Sequence, residues 1–249
     1  MKALVTGASS GIGRDIAKYL SSLGHELIIV SRDKEALEKV KKEIDGKCRV
    51  IPMDLVSKDN CFKLYDLVKK ENIDILINNA GFGTFGEFVN TSMTKELDMI
   101  DVNMRAMHIL TKLFLKDFVK RDSGYILNVS SSAAFQSGPL MATYYASKAY
   151  VMRLTTAIYE ELRKMGSNVH ISTLCPGPVR TNFNNVANVK FEIKSISSEE
   201  CAKYAIDKMF KNKLIIIPKF YMKALILFSK IAPTKLALKI AYNIQNRKR

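Results

Sequence analysis

The chain has 249 residues, 47% hydrophobic and 25% charged, with a formal net charge of +15. It shows no internal repeat, low-complexity tract or Pro/Gly/Ser-rich linker, so that length holds either one large α/β domain or two small ones. Four cysteines, Cys48, Cys61, Cys175 and Cys201, have no metal-type spacing and no disulfide framework, and they read as reduced, buried thiols.

The first apolar run, Ala3-Leu4-Val5, reads as a strand that leads at once into Thr6-Gly7-Ala8-Ser9-Ser10-Gly11-Ile12-Gly13. A strand that turns through a glycine-rich loop into a helix presents backbone N–H groups and a positive dipole end to a diphosphate. Gly7 suits the tight turn, Gly11 the close approach of phosphates, and Gly13 the packing of helix on strand. Ile12, Ile16, Ala17 and Leu20 then share one face of a helix expected over about Ile12–Leu23. The N-terminus enters this strand without room for a signal peptide, which predicts a cytoplasmic protein.

The second strand, Leu27–Val30, ends in Ser31-Arg32 where a chain using NAD usually carries an acid for the adenine ribose. A guanidinium beside a small hydroxyl suits a 2′-phosphate, so Arg32 points to NADPH/NADP+ over NAD(H). Asp33 reads as the cap of the following helix, Lys34–Ile44. Arg49–Ile51 is a third strand followed by Asp54 and Leu55, Asn60–Lys70 a helix, and Ile73–Ile77 a fourth strand that runs into Asn78-Asn79-Ala80-Gly81. A long amphipathic segment spans Lys95–Val119 and carries Asn103.

The next strand, Ile126–Val129, ends in Ser130-Ser131-Ser132, and the helix Tyr144–Met165 begins with Tyr144-Tyr145-Ala146-Ser147-Lys148. A phenol and an ammonium four residues apart share a helix face, so the cation can hold down the phenol's pKa. Ser131, thirteen residues upstream, can hydrogen-bond the same reacting oxygen. Together they are equipment for moving a proton at a carbonyl oxygen while a hydride moves elsewhere. Tyr65 with Lys69 and Tyr204 with Lys208 repeat the spacing, but neither follows an apolar run ending in serines. Those two read as helical surface pairs. Val169–Leu174, the turn Pro176-Gly177, the helix Glu199–Lys211 and the strand Leu214–Ile217 complete the alternation. Such alternation predicts a single-domain, doubly wound parallel sheet of about seven strands, Rossmann-like, with helices on both faces.

The glycine spacing, Asn78-Asn79-Ala80-Gly81, Asn103, Ser131, Tyr144, Lys148 and Pro176-Gly177, taken in that order, resemble the short-chain dehydrogenase/reductase family over residues 1–217. The resemblance implies that Tyr144 is the catalytic acid/base and that Lys148 lowers its pKa and binds the nicotinamide ribose. It implies that Ser131 orients and polarises the substrate carbonyl and that Asn103 holds a proton-relay water. Cofactor contacts are implied for Gly7, Ser9, Ser10, Gly11, Ile12 and Gly13 in the first loop. Others are implied for Asp54 and Leu55 at the adenine edge, for Asn79, Ala80 and Gly81, and for Pro176, Gly177, Val179 and Thr181. Pocket walls are expected from Phe82, Phe85, Phe135, Gln136, Leu140 and Met141, with a lid over Asn182–Ser195. No metal is expected, because His25, His108 and His170 are scattered and sit in no motif.

These readings predict an NADPH-dependent oxidoreductase that moves hydride between nicotinamide and a carbonyl or secondary alcohol on a hydrophobic substrate. A cofactor-binding regulatory or scaffold protein on the same fold is the alternative, and the intact Asn103, Ser131, Tyr144 and Lys148 weigh against it. Residues 218–249 are expected as a basic, apolar helical extension. Residues 211–249 hold ten Lys and Arg and no Asp or Glu. Pro233 and lysines at 219, 223, 230, 235 and 239 exclude a spanning helix there. The extension either covers the pocket or packs on a neighbouring subunit of a homodimer or homotetramer, which is the preferred reading, or lies in a membrane interface. Nucleic acid is not expected as a partner, since no base-reading motif accompanies the charge.

Overall fold

The computed structural model describes residues 1–181, 195–219, 221, 222, 226 and 233–246. The expected lid, Asn182–Ser195, lies outside the described residues except for Ser195. In chain order the elements are β1 (Lys2–Thr6), α1 (Gly11–Ser22), β2 (Glu26–Ser31), α2 (Lys34–Lys42), β3 (Cys48–Pro52), α3 (Lys58–Val68) and β4 (Ile75–Asn78). Then follow α4 (Met93–Ile100), a π-wound turn (Asp101–Ala106), α5 (Met107–Lys120), β5 (Gly124–Val129), a short 3-10 turn (Ser132–Phe135) and α6 (Ala142–Lys164). The chain continues through β6 (Val169–Leu174), β7 (Val179–Arg180), β8 (Ile196–Ser197), α7 (Ser198–Met209), β9 (Ile215–Ile216) and α8 (Thr234–Asn246).

Seven strands form one parallel sheet in the order β3-β2-β1-β4-β5-β6-β9. The middles of the central strands β1, β2 and β4 are apolar because both faces are covered. Ala3, Val5, Leu27, Ile29, Ile75 and Ile77 enter one core with α1, α2 and α7, while Leu4, Ile28, Val30, Leu76 and Ile126 enter the other with α3 and α5. That alternation is the period-two geometry of a strand, applied to two buried faces. The strand order reverses between β1 and β4, and the crevice above their carboxyl ends is where such sheets take ligands.

The expected strands and helices are all present, with ends shifted by a few residues. Two local features differ. The segment expected as one helix over Lys95–Val119 is α4 and α5 joined by the π-wound turn, which carries Asn103. The parallel pair β7–β8 has only two residues in each strand, too short for a period to show in the sequence.

Candidate active site

The glycine-rich loop leaves β1 at Thr6, whose hydroxyl donates to Ile77 O at 3.2 Å and accepts from the N–H groups of Asn79 and Ala80 at 3.0 and 3.1 Å. Asn79 Nδ2 donates to Thr6 O and Gly7 O at 3.1 and 3.0 Å. The loop after β4 therefore clamps the loop after β1. Gly7 has φ +65°, and a Cβ there would come within 2.8 Å of the Ala80 Cα, so only glycine fits. A Cβ on Gly11 (φ +56°) would meet the Thr181 methyl at 3.0 Å, which places Thr181 over the loop.

The start of α1 is built differently from the other capped helices. Asp33, Ser57, Ser92 and Ser197 each accept a first-turn N–H of α2, α3, α4 and α7, and each of those first turns holds an acid. Ser10, at the N-cap of α1, makes no such bond, and the first turn holds no acid. First-turn donors, a dipole end without an acid and a glycine cradle fit a diphosphate.

Arg32 is exposed, one residue past β2, and among the described residues it has no ion pair or hydrogen bond. Asp33 caps α2 as expected, accepting from Ala36 N at 2.9 Å. Asp54 is exposed and accepts from Val56 N at 3.0 Å, a turn bond. Leu55 and Val179 bury their side chains in the cores, and Ile12, partly buried, packs against one of them.

Ser131, Tyr144 and Lys148 come together between β5 and the start of α6. Burial pushes the Tyr144 phenol up to about 12, against the downward pull of its hydrogen bond with Ser131. Burial also pushes the Lys148 ammonium down to about 8. Lys148 Nζ donates to Val129 O at 3.1 Å and lies 5.8 Å from the centre of the Tyr144 ring. In this cofactor-free arrangement burial outweighs the expected lowering of the phenol's pKa by Lys148. The ammonium sits over the ring, held by the β5 carbonyl, and desolvation governs both groups. Tyr65 donates to Asp117 at 2.8 Å on the outer layer, and neither Tyr65 nor Tyr204 approaches Ser131.

Asn103 is buried, with Oδ1 accepting from Phe82 N at 3.0 Å and Nδ2 donating to Phe82 O at 2.9 Å and Ser147 Oγ at 3.0 Å. Both amide protons are thus committed to protein atoms, so a water on this side chain would have to approach the remaining lone pair of Oδ1. A Cβ on Gly81 would come within 2.8 Å of that oxygen.

Of the expected pocket residues, Gln136 is exposed and Phe82 and Phe85 are partly buried. Met141 and Leu140 are buried, and Phe135 packs against Ala134, Met152 and Cys175 in a small cluster of its own. Leu140 holds a positive φ of 65° and accepts from Gly86 N at 2.9 Å, which brings the Phe85 loop against the entry to α6. Sequence reasoning did not reveal several supporting groups. Ser130 Oγ donates to Lys148 O at 2.7 Å, and Ser147 Oγ donates to Tyr144 O at 2.7 Å. The buried Asn128 joins Asn78, Thr111 and Thr155 across β4, β5, α5 and α6.

The C-terminal segment reaches the same site. A Cβ on Gly177 would lie 2.9 Å from Met222 Sδ. Gln245, 3% exposed, donates to Tyr145 Oη at 2.5 Å, and Tyr145 stands edge-on to Tyr144. These contacts bring Met222 beside Gly177 and Gln245 beside Tyr145. Among the described residues no group of His, Cys, Asp and Glu could hold a metal ion.

Comparison with known proteins gives the same outline. The short chain dehydrogenase family matches residues 1–190. Hydroxysteroid dehydrogenase-like protein 1 of Gallus gallus is 33% identical over 220 residues, which is 85% of this chain and 66% of that protein. A ketoacyl reductase of Nostoc sp. is 34% identical over 220 residues, 84% of this chain and 75% of that one. The solved structure of a short-chain dehydrogenase from Sphingobium yanoikuyae in complex with NADPH superposes with a TM-score of 0.82 at 27% identity, over 93% of this chain and 96% of that one.

Proposed function

The chain belongs to the short-chain dehydrogenase family, and from that premise we propose that it is an NADPH-dependent oxidoreductase that interconverts a carbonyl group and a secondary alcohol on an apolar compound. The observation that carries this reading is the hydrogen bond between Ser131 and Tyr144 beside the buried Lys148. A nicotinamide cofactor supplies the two-electron hydride chemistry when bound. The diphosphate is assigned to the α1 cradle, Gly7 to Gly13, and the 2′-phosphate to Arg32, whose guanidinium has no other partner among the described residues. The NADPH in the Sphingobium relative supports the same choice.

Ser131 and Tyr144 are assigned to hold the substrate oxygen between their hydroxyls, where charge gathers as the carbonyl is reduced. Tyr144, with its raised pKa, is an acid at neutral pH and gives its proton to that oxygen. Alcohol oxidation, the reverse step, needs the phenolate. Lys148, the cation over the Tyr144 ring, is the group placed to stabilise that phenolate when it forms. Asn103 fixes the Phe82 backbone at one edge of the site and Ser147 at the other. The apolar side chains of Phe82, Phe85 and Met141 support a hydrophobic substrate.

The test is direct: the protein is mixed with NADPH and a panel of ketones, ketoacyl thioesters and aldehydes, and loss of the reduced-nicotinamide absorbance is followed. Consumption with at least one apolar carbonyl compound is expected. No consumption across the panel overturns the reading, and faster turnover with NADH overturns its cofactor half.

A further inference from the structure

We propose that α8 is an in-plane membrane helix that holds this chain on the surface of an anionic bilayer, an inference that stands apart from the substrate and cofactor assignments above. The helix buries little of its surface. Gln245 is the one buried residue of α8, and every other position is exposed or only partly covered. Leu236, Ile240 and Ile244, spaced four residues apart, form a stripe along one side of the helix and are 52%, 47% and 46% exposed. Leu238 and Tyr242, 36% and 39% exposed, flank the buried Gln245 on its other side. Three large apolar side chains, Leu236, Ile240 and Ile244, therefore share the outward stripe, while Leu238 and Tyr242 lie on the side of the buried Gln245.

Charge decides what covers them. Lys235 and Lys239 lie on the polar arc of α8, and residues 211–249 carry ten Lys and Arg and no Asp or Glu. A second copy of the chain meeting this face would set like charges against each other, with no carboxylate in the segment to offset them. A nucleic acid would take the charge and leave the apolar stripe in water. An anionic bilayer takes both: the apolar side chains enter the headgroup–acyl boundary and the ammonium groups stay among the phosphates, with their stems lying along apolar surface. At about 1.5 Å per residue α8 is roughly 20 Å long, short of a ~30 Å hydrocarbon core, so it lies flat instead of crossing. No helix among the described residues is long and apolar enough to cross a membrane. Gln245, bonded to Tyr145 next to Tyr144, ties this helix to the site.

The experiment is co-sedimentation of the full chain with vesicles of phosphatidylglycerol and phosphatidylcholine, with phosphatidylcholine vesicles as control, at low and high salt. Binding to the anionic vesicles that falls at high salt is expected. The double variant Ile240→Gln, Ile244→Gln, which removes the apolar stripe without changing charge, should bind at least about tenfold more weakly, with an unchanged unfolding midpoint because neither side chain is in a core. Lys235→Gln and Lys239→Gln should each cost roughly fivefold. Absence of binding at low salt overturns the proposal. Binding that ignores the double variant also overturns it, since charge alone would then be read, as by a nucleic acid or an acidic protein. A wild-type dimer in sedimentation velocity that the double variant dissociates, without vesicle binding, assigns the stripe to a second copy and overturns it as well.

Discussion

Asn103 Nδ2 lies 3.0 Å from Ser147 Oγ, a bond that ties the π-wound turn to α6 one residue before Lys148. Ser147 passes the connection to the Tyr144 carbonyl at 2.7 Å, and the other side of the Asn103 amide holds both polar groups of the Phe82 backbone. One buried side chain thus spaces the loop after β4 from the first turns of α6. The π-winding is what admits it, since the wider turn shifts the register of the helix at that residue.

Asn103→Ala leaves the Phe82 N–H and C=O without their side-chain partner and should lower the unfolding free energy by about 2–4 kcal/mol, read from a urea transition. Asn103→Asp keeps an acceptor for Phe82 N–H and should fall between that variant and the native chain. A native-like midpoint for the alanine variant would contradict the spacing role.

Tyr144→Phe removes the proton donor while leaving the ring and its neighbours in place. It should abolish nearly all NADPH-linked turnover and leave NADPH binding within a few-fold. Retention of more than about a tenth of native activity would refute the acid assignment. Tyr65→Phe and Tyr204→Phe should keep turnover, since those hydroxyls lie away from Ser131.

Arg32→Ala should weaken NADPH by roughly ten- to a hundredfold and NADH hardly at all, because a charge-assisted bond of about 1.5–3 kcal/mol is lost only with the 2′-phosphate. Binding titrations of both cofactors measure this. Equal loss for the two would make Arg32 structural.

Lys148 gives a pH signature. It loses its proton near pH 8 in the folded, cofactor-free chain and near 10.5 when unfolded. Below pH 8 both states are protonated and the buried charge weakens the fold by its full amount. Between pH 8 and 10.5 the unfolded chain binds more protons, so stability rises with pH across that window. Tyr144 acts in the opposite sense, losing stability from pH 10 to 12 as the unfolded phenol ionises first. Lys148→Met should therefore stabilise the cofactor-free protein at pH 7 by about 1–3 kcal/mol, after allowing for the lost bond to Val129, and the gain should fade toward pH 10.5. Turnover should fall sharply in the same variant. A stability difference that does not change with pH would show that the ammonium is not desolvated.

How much of this was legible in the sequence depends on how local each cause is. The central strands announced themselves because two-sided burial makes them continuous apolar runs, as in Leu27–Val30 and Ile75–Ile77. Gly7, Gly11 and Gly13 were readable because a strand-loop-helix junction needs them at that spacing. The tyrosine–lysine spacing placed Lys148 on the correct helix face, yet it carried no information about the Val129 carbonyl that competes for the ammonium. The π-wound turn at Asn103 left no periodic mark over six residues. The Gln245–Tyr145 and Met222–Gly177 contacts join positions far apart in the chain, and no pattern within either segment encodes them.

The bonds that close the nucleotide loop run from Thr6 to Ile77, Asn79 and Ala80. A nascent chain makes β1 and β2 early but has no clamp for that loop until residue 80 has been made, roughly 4–16 s after residue 1 at about 5–20 residues per second. A cofactor in the cell therefore gives the nascent N-terminal part little help, since the clamp it would use does not yet exist. Through the same interval the β4-facing side of β1 is an open strand edge. A neighbouring nascent chain that pairs with it competes directly with β4.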